Sequence, residues 1–543
     1  MFLVARDHKG GAKAPLIREA ILSWNLGIFN LFPHANFYRQ TVSNTSPQIQ
    51  GGDFRPWPER LETQSLGPFN SIFLFGKPQK RFDAMDILVI GGGISGLSLA
   101  WGLHRRGLEV GIAESSNRWG GLIATQREDG FLVEQGPNST MQKPGRPEDA
   151  LGRLVESLNL SASLIEAGAA GKRRYVMRDG RLLPLPGSPP AFVTTSLFSL
   201  KDKLRLLAEP FIRRGDAEET IAAFVRRRLG NAFLNYAVQP FISGVYAGDA
   251  ERLSVRAATP RIHALETKYG SLIRGAIALG KIARNAGMPA GRLISFEDGM
   301  ERLPRALAEA LPAERRWLGR TVTAILPDAQ EGWRVRWRAT SSVIGAPAEG
   351  EIVARRIVLS VPADAAANLV EPLSAETAAR LRSIFYAPIV SAAFAWPKNA
   401  IGHTLDGFGF LIPRVEKRRL LGGLFSTALF PGRAPIDHSL VTAFIGGSMD
   451  LDAVKLSDSN LIDVMTQDLN EALTITARPD RVWLTRYAQA IPQYTLGHLE
   501  KTETISELSQ AHFGLSFRAS WSGGVSVADC IRNSELLCEK LTH

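Results

Sequence analysis

Residues 85–121 read MDILVIGGGISGLSLAWGLHRRGLEVGIAESSNRWGG, and this stretch decides the fold. Ile87, Leu88, Val89 and Ile90 form an unbroken apolar run, short and β-branched, as a strand buried on both faces is. Gly91, Gly93 and Gly96 follow at once in G-x-G-x-x-G spacing. The first permits a tight turn, the second lets a pyrophosphate approach the backbone, and the third lets the next helix pack on the strand. That helix is expected to start at Ile94 and Ser95, where free N–H groups and the helix dipole suit an anion. Leu97, Ala100, Trp101 and Leu103 face inward, and Arg105-Arg106-Gly107 end it with cations and a C-terminal glycine. A second strand over 109–113 delivers Glu114 to its carboxyl end. A carboxylate there accepts both ribose hydroxyls of an adenosine and repels a 2′-phosphate. Strand, glycine turn, helix and acid in this order point to a bound dinucleotide rather than to an ordinary turn.

Beyond the acid, Glu114, Ser115, Arg118, Gly120 and Gly121 extend the pattern to E-x-x-x-R-x-G-G. This resembles the FAD signature of the flavin amine oxidase superfamily. The resemblance implies FAD, with the second glycine pair beside its ribityl-pyrophosphate and Arg118 bracing it.

At 543 residues the chain is long enough for two or three lobes, and 45% hydrophobic content suits a large core. Sixty-four Lys+Arg against 53 Asp+Glu give +11. That excess suits nucleic acid, an anionic membrane surface or an acidic substrate. No basic motif with interleaved aromatics is present, so nucleic acid is not expected. Two cysteines, Cys530 and Cys538, make neither a disulfide framework nor a zinc site, and no metal is expected. No apolar run reaches the roughly 18 residues of a spanning helix.

Residues 1–84 contain Pro33, Pro47, Pro56, Pro58, Pro68 and Pro78, with Leu16, Ile17, Ala20, Ile21 and Trp24 on one face of a short amphipathic helix. No secretory signal is readable, and Met85 abuts the first strand as a start codon would. A dispensable or mis-called leader is expected, with a transit peptide or membrane anchor as the other readings. Further along, 131–139 reads as a strand entering a Gly-Pro turn, 149–160 as a helix, and 175–183 as a hairpin turning at Asp179-Gly180. Helices are expected over 200–213, 217–229, 232–243 and 271–286. Their Arg213-Arg214 and Arg226-Arg227-Arg228 form either a solvated face or a phospholipid-facing patch. A turn and helix follow at 296–303, then a β-meander over 321–326, 333–337 and 356–361. Strands at 384–396, 407–412, 420–425 and 440–446 suggest an antiparallel sheet, with a helix over 454–472 and a last strand over 481–488. Gly523-Gly524 precede an apolar helix, a second N-terminus free to meet a phosphate or flavin edge.

The expected fold class is α/β. A Rossmann-type FAD-binding domain is split over 85–150, 291–370 and 481–543. A mixed α+β substrate domain takes 151–190 and 371–480, and a helical membrane-associating lobe takes 191–290.

The region from Met85 onward is also similar to the oxygen-dependent protoporphyrinogen oxidase family. The motifs are G-G-G-I-S-G-L (91–97), E-x-G-P-N-S (134–139), S-G-V-Y-A-G-D-x-x-x-L-S (243–254), F-x-x-G-M-x-x-L-P (296–304), V-P-A-D-A-A-A-N-L (361–369), G-F-G-F-L-I-P (407–413), L-F-S-T-A-L-F-P-G-R-A-P (424–435), F-I-G-G-S (444–448), A-I-P-Q-Y-T-L-G-H (490–498) and G-G-V-S-V-A-D-C-I (523–531). The first and last are superfamily-wide, and the middle ones are more particular. The resemblance implies a porphyrinogen substrate that loses two electrons per turnover to the flavin, with O2 reoxidising it to give hydrogen peroxide. It adds Gly136, Pro137, Asn138, Ser139, Val322, Trp521, Gly524, Val525, Ser526 and Val527 to the cofactor set. Such a substrate needs apolar walls, for which Gly407-Phe408-Gly409-Phe410 and Leu424-Phe425 are candidates; by the resemblance Leu405 and Phe425 would sandwich the macrocycle and the Gly244 backbone would lie at a pyrrole edge. No catalytic base is nominated. Plant members place an arginine after Leu-Gly-Leu near 160, whereas this chain has Leu158-Asn159-Leu160-Ser161, so Arg173 and Arg174 are the substitutes, with Arg174 taken as the propionate ligand. A peripheral site on the cytoplasmic face of the cell membrane, a homodimer and a ferrochelatase contact are further expectations, with an organelle instead if the leader is a transit peptide. Rivals are coproporphyrinogen oxidation on the same fold, an amine oxidase, a carotenoid desaturase and a non-catalytic FAD-binding scaffold.

Overall fold

The structure is a computed structural model that describes residues 85–286, 289–328, 332–340 and 347–542. The leader readings lie outside these residues.

Two seven-stranded sheets organise the chain. In the first, Met85–Ile90 pairs in parallel with Val110–Ala113 on one side and with Glu349–Leu359 on the other. Arg316–Trp317 extends the parallel set beyond Val110–Ala113, and Leu515–Phe517 joins Glu349–Leu359. Glu349–Leu359 is long enough to serve two partners. Its first half pairs antiparallel with Gly332–Ala339, and its second half lies between Met85–Ile90 and Leu515–Phe517. The meander is completed by Arg320–Asp328. Strands remote in sequence therefore share one sheet. The helix Ile94–His104 and the final helix Val527–Thr542 pack together beside it, where the Ser534 hydroxyl donates to the Ser95 carbonyl at 2.8 Å. Leu88, Val89, Ile357 and Val358 have no exposed surface, as a sheet covered on both faces requires.

The second sheet runs, in order, through Arg481–Pro492, Tyr386–Pro397, His438–Gly446, Leu420–Phe425, Gly409–Leu411, Arg174–Arg178 and Arg181–Pro184. Asp179 and Gly180 both have positive φ, as the expected tight turn demands. The strand expected at 481–488 with the first sheet belongs here instead, paired along Tyr386–Pro397. Conversely, Leu164–Glu166 joins a small sheet with Thr140–Gln142 and Arg292–Phe296, and Ala150–Ser157 packs in the core of the first sheet's helices. The helix Asp458–Leu473 covers one face of the second sheet.

A helical lobe has its own core, including Phe224, Phe233, Ile242 and Leu265, on which Val176 and Leu411 of the second sheet pack. The helix expected over 200–213 stops at Leu207. Pro210 lacks the N–H that would continue it, and Glu209–Phe211 is a single 3-10 turn. The helix expected from 217 starts at Ile221, with Thr220 as its cap. The one expected over 232–243 continues to Tyr246 through a π turn at Leu234–Val238.

This lobe also changes the reading of its arginines. Arg228 has no exposed surface; its Nε donates to Glu266 at 2.6 Å and its Nη1 to Glu209 at 3.1 Å. Arg227 donates to Glu219 and Glu266, and Arg226 to Glu251. Glu209 in turn accepts from the Leu272 N–H at 2.9 Å at the start of the helix Leu272–Asn285. Arg227 and Arg228 are therefore held in an ion-pair network that ties helices together, while Arg226 is exposed and pairs with Glu251 at the surface.

Candidate active site

The amino-terminal glycines fall into two roles. A Cβ on Gly91 or Gly96 would collide with backbone carbonyls, of Ser360 and of Gly91 respectively, so both are needed for strand–helix packing. A Cβ on Gly93 would meet no atom within 4 Å. The middle glycine thus faces open space, the place where the fingerprint seats a pyrophosphate. The loop 114–121 closes onto it: Gly93 bridges Gly120, and the Gly120 N–H donates to the Gly92 carbonyl at 2.9 Å. Arg118 braces this second loop from within, donating to the carbonyls of Gly121 (2.6 Å) and Ile123 (3.1 Å). Glu114 stands at the end of Val110–Ala113 and accepts from the N–H groups of Gly92 (2.6 Å) and Ser116 (2.8 Å). The Arg320 N–H donates to the Glu114 carbonyl at 2.9 Å, which brings Val322 to the acid's side of the sheet. Ser115 adds a hydroxyl bond to Glu114 at 3.2 Å.

Other members of the expected cofactor set serve as supports. Trp521 is buried and donates from its indole to the Val361 carbonyl at 3.1 Å. Gly524 has φ +71, and Ser526 caps the final helix by accepting from the Asp529 N–H at 3.1 Å. Val525 packs on the helical lobe and Val527 on the first core. Gly136 sits against the Leu122 carbonyl, with Asn138 donating to the Gly136 carbonyl at 3.2 Å, and Pro137 and Ser139 complete this half-buried turn.

The second sheet corrects the expected substrate wall. Successive side chains of a strand point to opposite faces. Phe410, Phe425, Val390, Ala443 and Ile445 share one apolar cluster with Leu405 and with Leu461, Met465 and Leu469 of the covering helix. Phe425 has no exposed surface, and rings of His403, Phe410 and Tyr175 lie 5.4, 6.0 and 6.4 Å from it. Leu405, Phe410 and Phe425 are therefore core on the helix-covered face. The opposite face carries the alternate residues. Gly409 is opposite Leu424, Leu424 opposite Thr442, and Ile389 opposite Tyr487, with Leu411 and Phe444 in the same set. Leu411, Leu424, Phe444, Ile389 and Tyr487 are all half-buried. Gly244 approaches this face, since a Cβ there would lie 2.7 Å from Leu411 Cδ2.

Arg174 is opposite Gly409 and so belongs to the open face, whereas Arg173 is committed to an ion pair with Asp406. Arg174 lies over the Phe408 ring at 5.0 Å, has no carboxylate within ion-pair distance among the described residues, and is pushed below the usual guanidinium range by burial. Burial raises the Tyr487 phenol, and the positive charge of Arg118 partly offsets this, which places the Tyr487 end of the sheet near the glycine loops. At the other end, Ala393, Ala395, Leu440 and Trp483 pack on Phe131 and Val133 of the first unit. A buried ion pair lies beside this seam, Arg433 to Glu134 at 3.5 Å. Glu134 also accepts from the Met300 N–H (2.8 Å) and Thr125 hydroxyl (2.7 Å), and burial pushes its carboxyl up to about 7. The face is thus covered at Leu411 by the helical lobe and at Trp483 by the first unit, while its Tyr487 edge lies within electrostatic reach of Arg118 in the glycine loop. Leu424 was a wall candidate from the sequence, but Leu411, Phe444, Ile389 and Tyr487 were not singled out; their signal was the alternation against Val390, Ala392, Phe394 and Trp396, hidden because both faces of these strands are apolar.

Residues 94–532 match the family described as flavin containing amine oxidoreductase. The chain is 32% identical over 489 residues to a chloroplastic protoporphyrinogen oxidase of Oryza sativa subsp. japonica, covering 84% of this chain and 88% of the relative. It is 27% identical to a coproporphyrinogen III oxidase of Bacillus subtilis (strain 168), covering 82% and 95%. A crystal structure from Exiguobacterium sp. 255-15 superposes with a TM-score of 0.69 at 24% identity, covering 84% of this chain and 98% of that one, which supports the fold.

Proposed function

Because the chain belongs to the flavin containing amine oxidoreductase family, we propose that it oxidises protoporphyrinogen IX to protoporphyrin IX, with FAD as the flavin, O2 as acceptor and hydrogen peroxide as by-product. The observation that carries this reading is the pairing of a glycine cradle, open at Gly93, with a broad apolar sheet face bearing one desolvated arginine. The residues fit FAD: the cradle admits a pyrophosphate, Glu114 suits a ribose diol, and the final helix presents a second N-terminus. Bound flavin supplies hydride acceptance, which no side chain provides.

The chain's own part is placement. Leu424, Phe444 and Ile389 offer an apolar wall to a macrocycle, with Leu411 at its margin packed on the helical lobe beside Gly244. Arg174, half-buried and without a carboxylate partner among the described residues, offers its guanidinium fork to a propionate. Tyr487 stays a neutral phenol at physiological pH, a hydrogen-bond donor rather than a base.

Anaerobic mixing of FAD-loaded protein with protoporphyrinogen IX is expected to bleach the flavin, and porphyrin fluorescence is expected only once O2 is admitted, because one flavin takes two electrons and the porphyrin needs three such rounds. Flavin that stays oxidised would overturn the assignment and leave a cofactor-binding scaffold. The Bacillus subtilis relative makes coproporphyrinogen III the second substrate to try, and a higher kcat/KM for it would transfer the assignment.

A membrane surface remains part of the proposal, at a different place from the arginine run. Leu200, Leu204 and Leu207 follow i, i+4, i+7 spacing on one helix, Phe211 lies in the 3-10 turn beyond it, and they are 73%, 57%, 57% and 84% exposed, with Val193 at 64%. Arg213, 91% exposed, follows directly. An apolar stripe with adjacent cations suits a bilayer interface. Among the described residues no helix is long and apolar enough to cross a membrane.

A further inference from the structure

Three helices of the first unit meet with a groove between them. Ser98, Trp101, Gly102 and Arg105 form one stripe of Ile94–His104. Ala150, Arg153, Leu154 and Ser157 form a stripe of Ala150–Ser157, and Ile531, Glu535 and Cys538 one of Val527–Thr542. The small residues in each stripe leave a cavity of about 310 Å³, the lower end of the range that small-molecule sites occupy.

The charges at its mouth do not cancel. Arg153 and Glu535 satisfy one another in a two-point bond, 3.1 and 2.6 Å. Arg106 instead donates to the Gly102 carbonyl (3.1 Å) and to Cys538 Sγ (2.9 Å), and Arg105 lies 5.0 Å over the Trp101 indole. Neither has a carboxylate within ion-pair distance among the described residues, so two guanidinium groups stand over an apolar floor of Leu154, Ile531 and the Cys538 thiol. We propose that this groove binds a small aromatic carboxylate, its ring on the apolar floor beside Trp101 and its carboxylate between Arg105 and Arg106. Guanidinium forks match a carboxylate in shape as well as charge, and the volume admits a bicyclic ring but not a tetrapyrrole. The groove opens at the far end of the helix from the glycine cradle, roughly 15 Å along its axis. Its occupant therefore does not compete with the dinucleotide.

The test is calorimetry of the full, FAD-loaded chain with 2-naphthoate, and with uncharged 2-naphthol as comparison. Saturable one-to-one binding of the acid is expected, about tenfold or more tighter than the alcohol. Arg105→Gln should weaken the acid by about the same factor and leave the alcohol unchanged. Gly102→Leu should abolish both, because a Cβ at Gly102 already lies 3.3 Å from Cys538 Sγ. Binding that fails to saturate, or that persists equally in Arg105→Gln, overturns the proposal, since it would place the acid elsewhere. Arg105 is exposed, so its variant keeps the test decisive even where Gly102→Leu does not fold.

Discussion

Phe425 and Phe444 lie on neighbouring strands, one on each face of the second sheet, and truncating them should have opposite consequences. Phe425 is wholly buried among Tyr175, His403 and Phe410. Phe425→Ala removes a core ring, and such truncations cost about 3–5 kcal/mol because the surroundings collapse only partly. Against a total stability of about 5–15 kcal/mol that is a large fraction, so the melting temperature should fall by several degrees and flavin retention with it. The protein that survives should bind substrate with little change in KM. Phe444 is half-buried on the open face, opposite Gly422, and supports little of the core. Phe444→Ala should leave the melting temperature nearly unchanged while removing about 1–3 kcal/mol of ring contact with the macrocycle. KM should rise between about fivefold and 150-fold. One preparation of each variant suffices, assayed for melting temperature, flavin absorbance per chain and porphyrin fluorescence against substrate concentration. A Phe425→Ala protein of normal stability with a raised KM, beside a Phe444→Ala protein with an unchanged KM, would refute the assignment of faces.

Gly93→Val should yield folded protein without bound flavin, because its side chain enters the open cradle. Gly96→Val should instead lose the fold, since its Cβ runs into the Gly91 carbonyl; absorbance and circular dichroism separate the two. Leu204→Glu with Leu207→Glu should reduce sedimentation with anionic vesicles severalfold and leave turnover in solution unchanged, and unaltered sedimentation would remove the stripe from the interface. The Glu134 carboxyl is raised to about 7 in the fold against 4.5 in the open chain. Between those values the folded state holds a proton that the unfolded state has shed, so this group's contribution to stability is complete below about pH 4.5 and declines as pH rises toward 7. Glu134→Gln should flatten that part of the melting-temperature profile between pH 5 and 8, and an unchanged slope would assign it to other groups.

Local chemistry was enough for the amino-terminal strand, glycine turn and helix. A β-branched run, three glycines at set intervals and Glu114 some twenty residues later specify strand, turn, helix and acid within one continuous stretch, because each depends on neighbours along the chain. The hairpin at Asp179-Gly180 was legible for the same reason, since a tight turn is a local conformation. The substrate face was not. Gly409, Phe410 and Leu411 alternate correctly, but which side of a strand meets a covering helix is settled by Asp458–Leu473, a segment arriving decades of residues later. A one-residue slip in that reading moves every side chain to the other face, which is why the sequence offered Phe410 and Phe425 together with Leu424, although the fold puts them on opposite faces. Arg226-Arg227-Arg228 likewise counts as three charges in the sequence. Only the fold brings Glu209, Glu219, Glu251 and Glu266 to them, and a charge's role is set by what stands within a few ångströms of it rather than by its place in the chain.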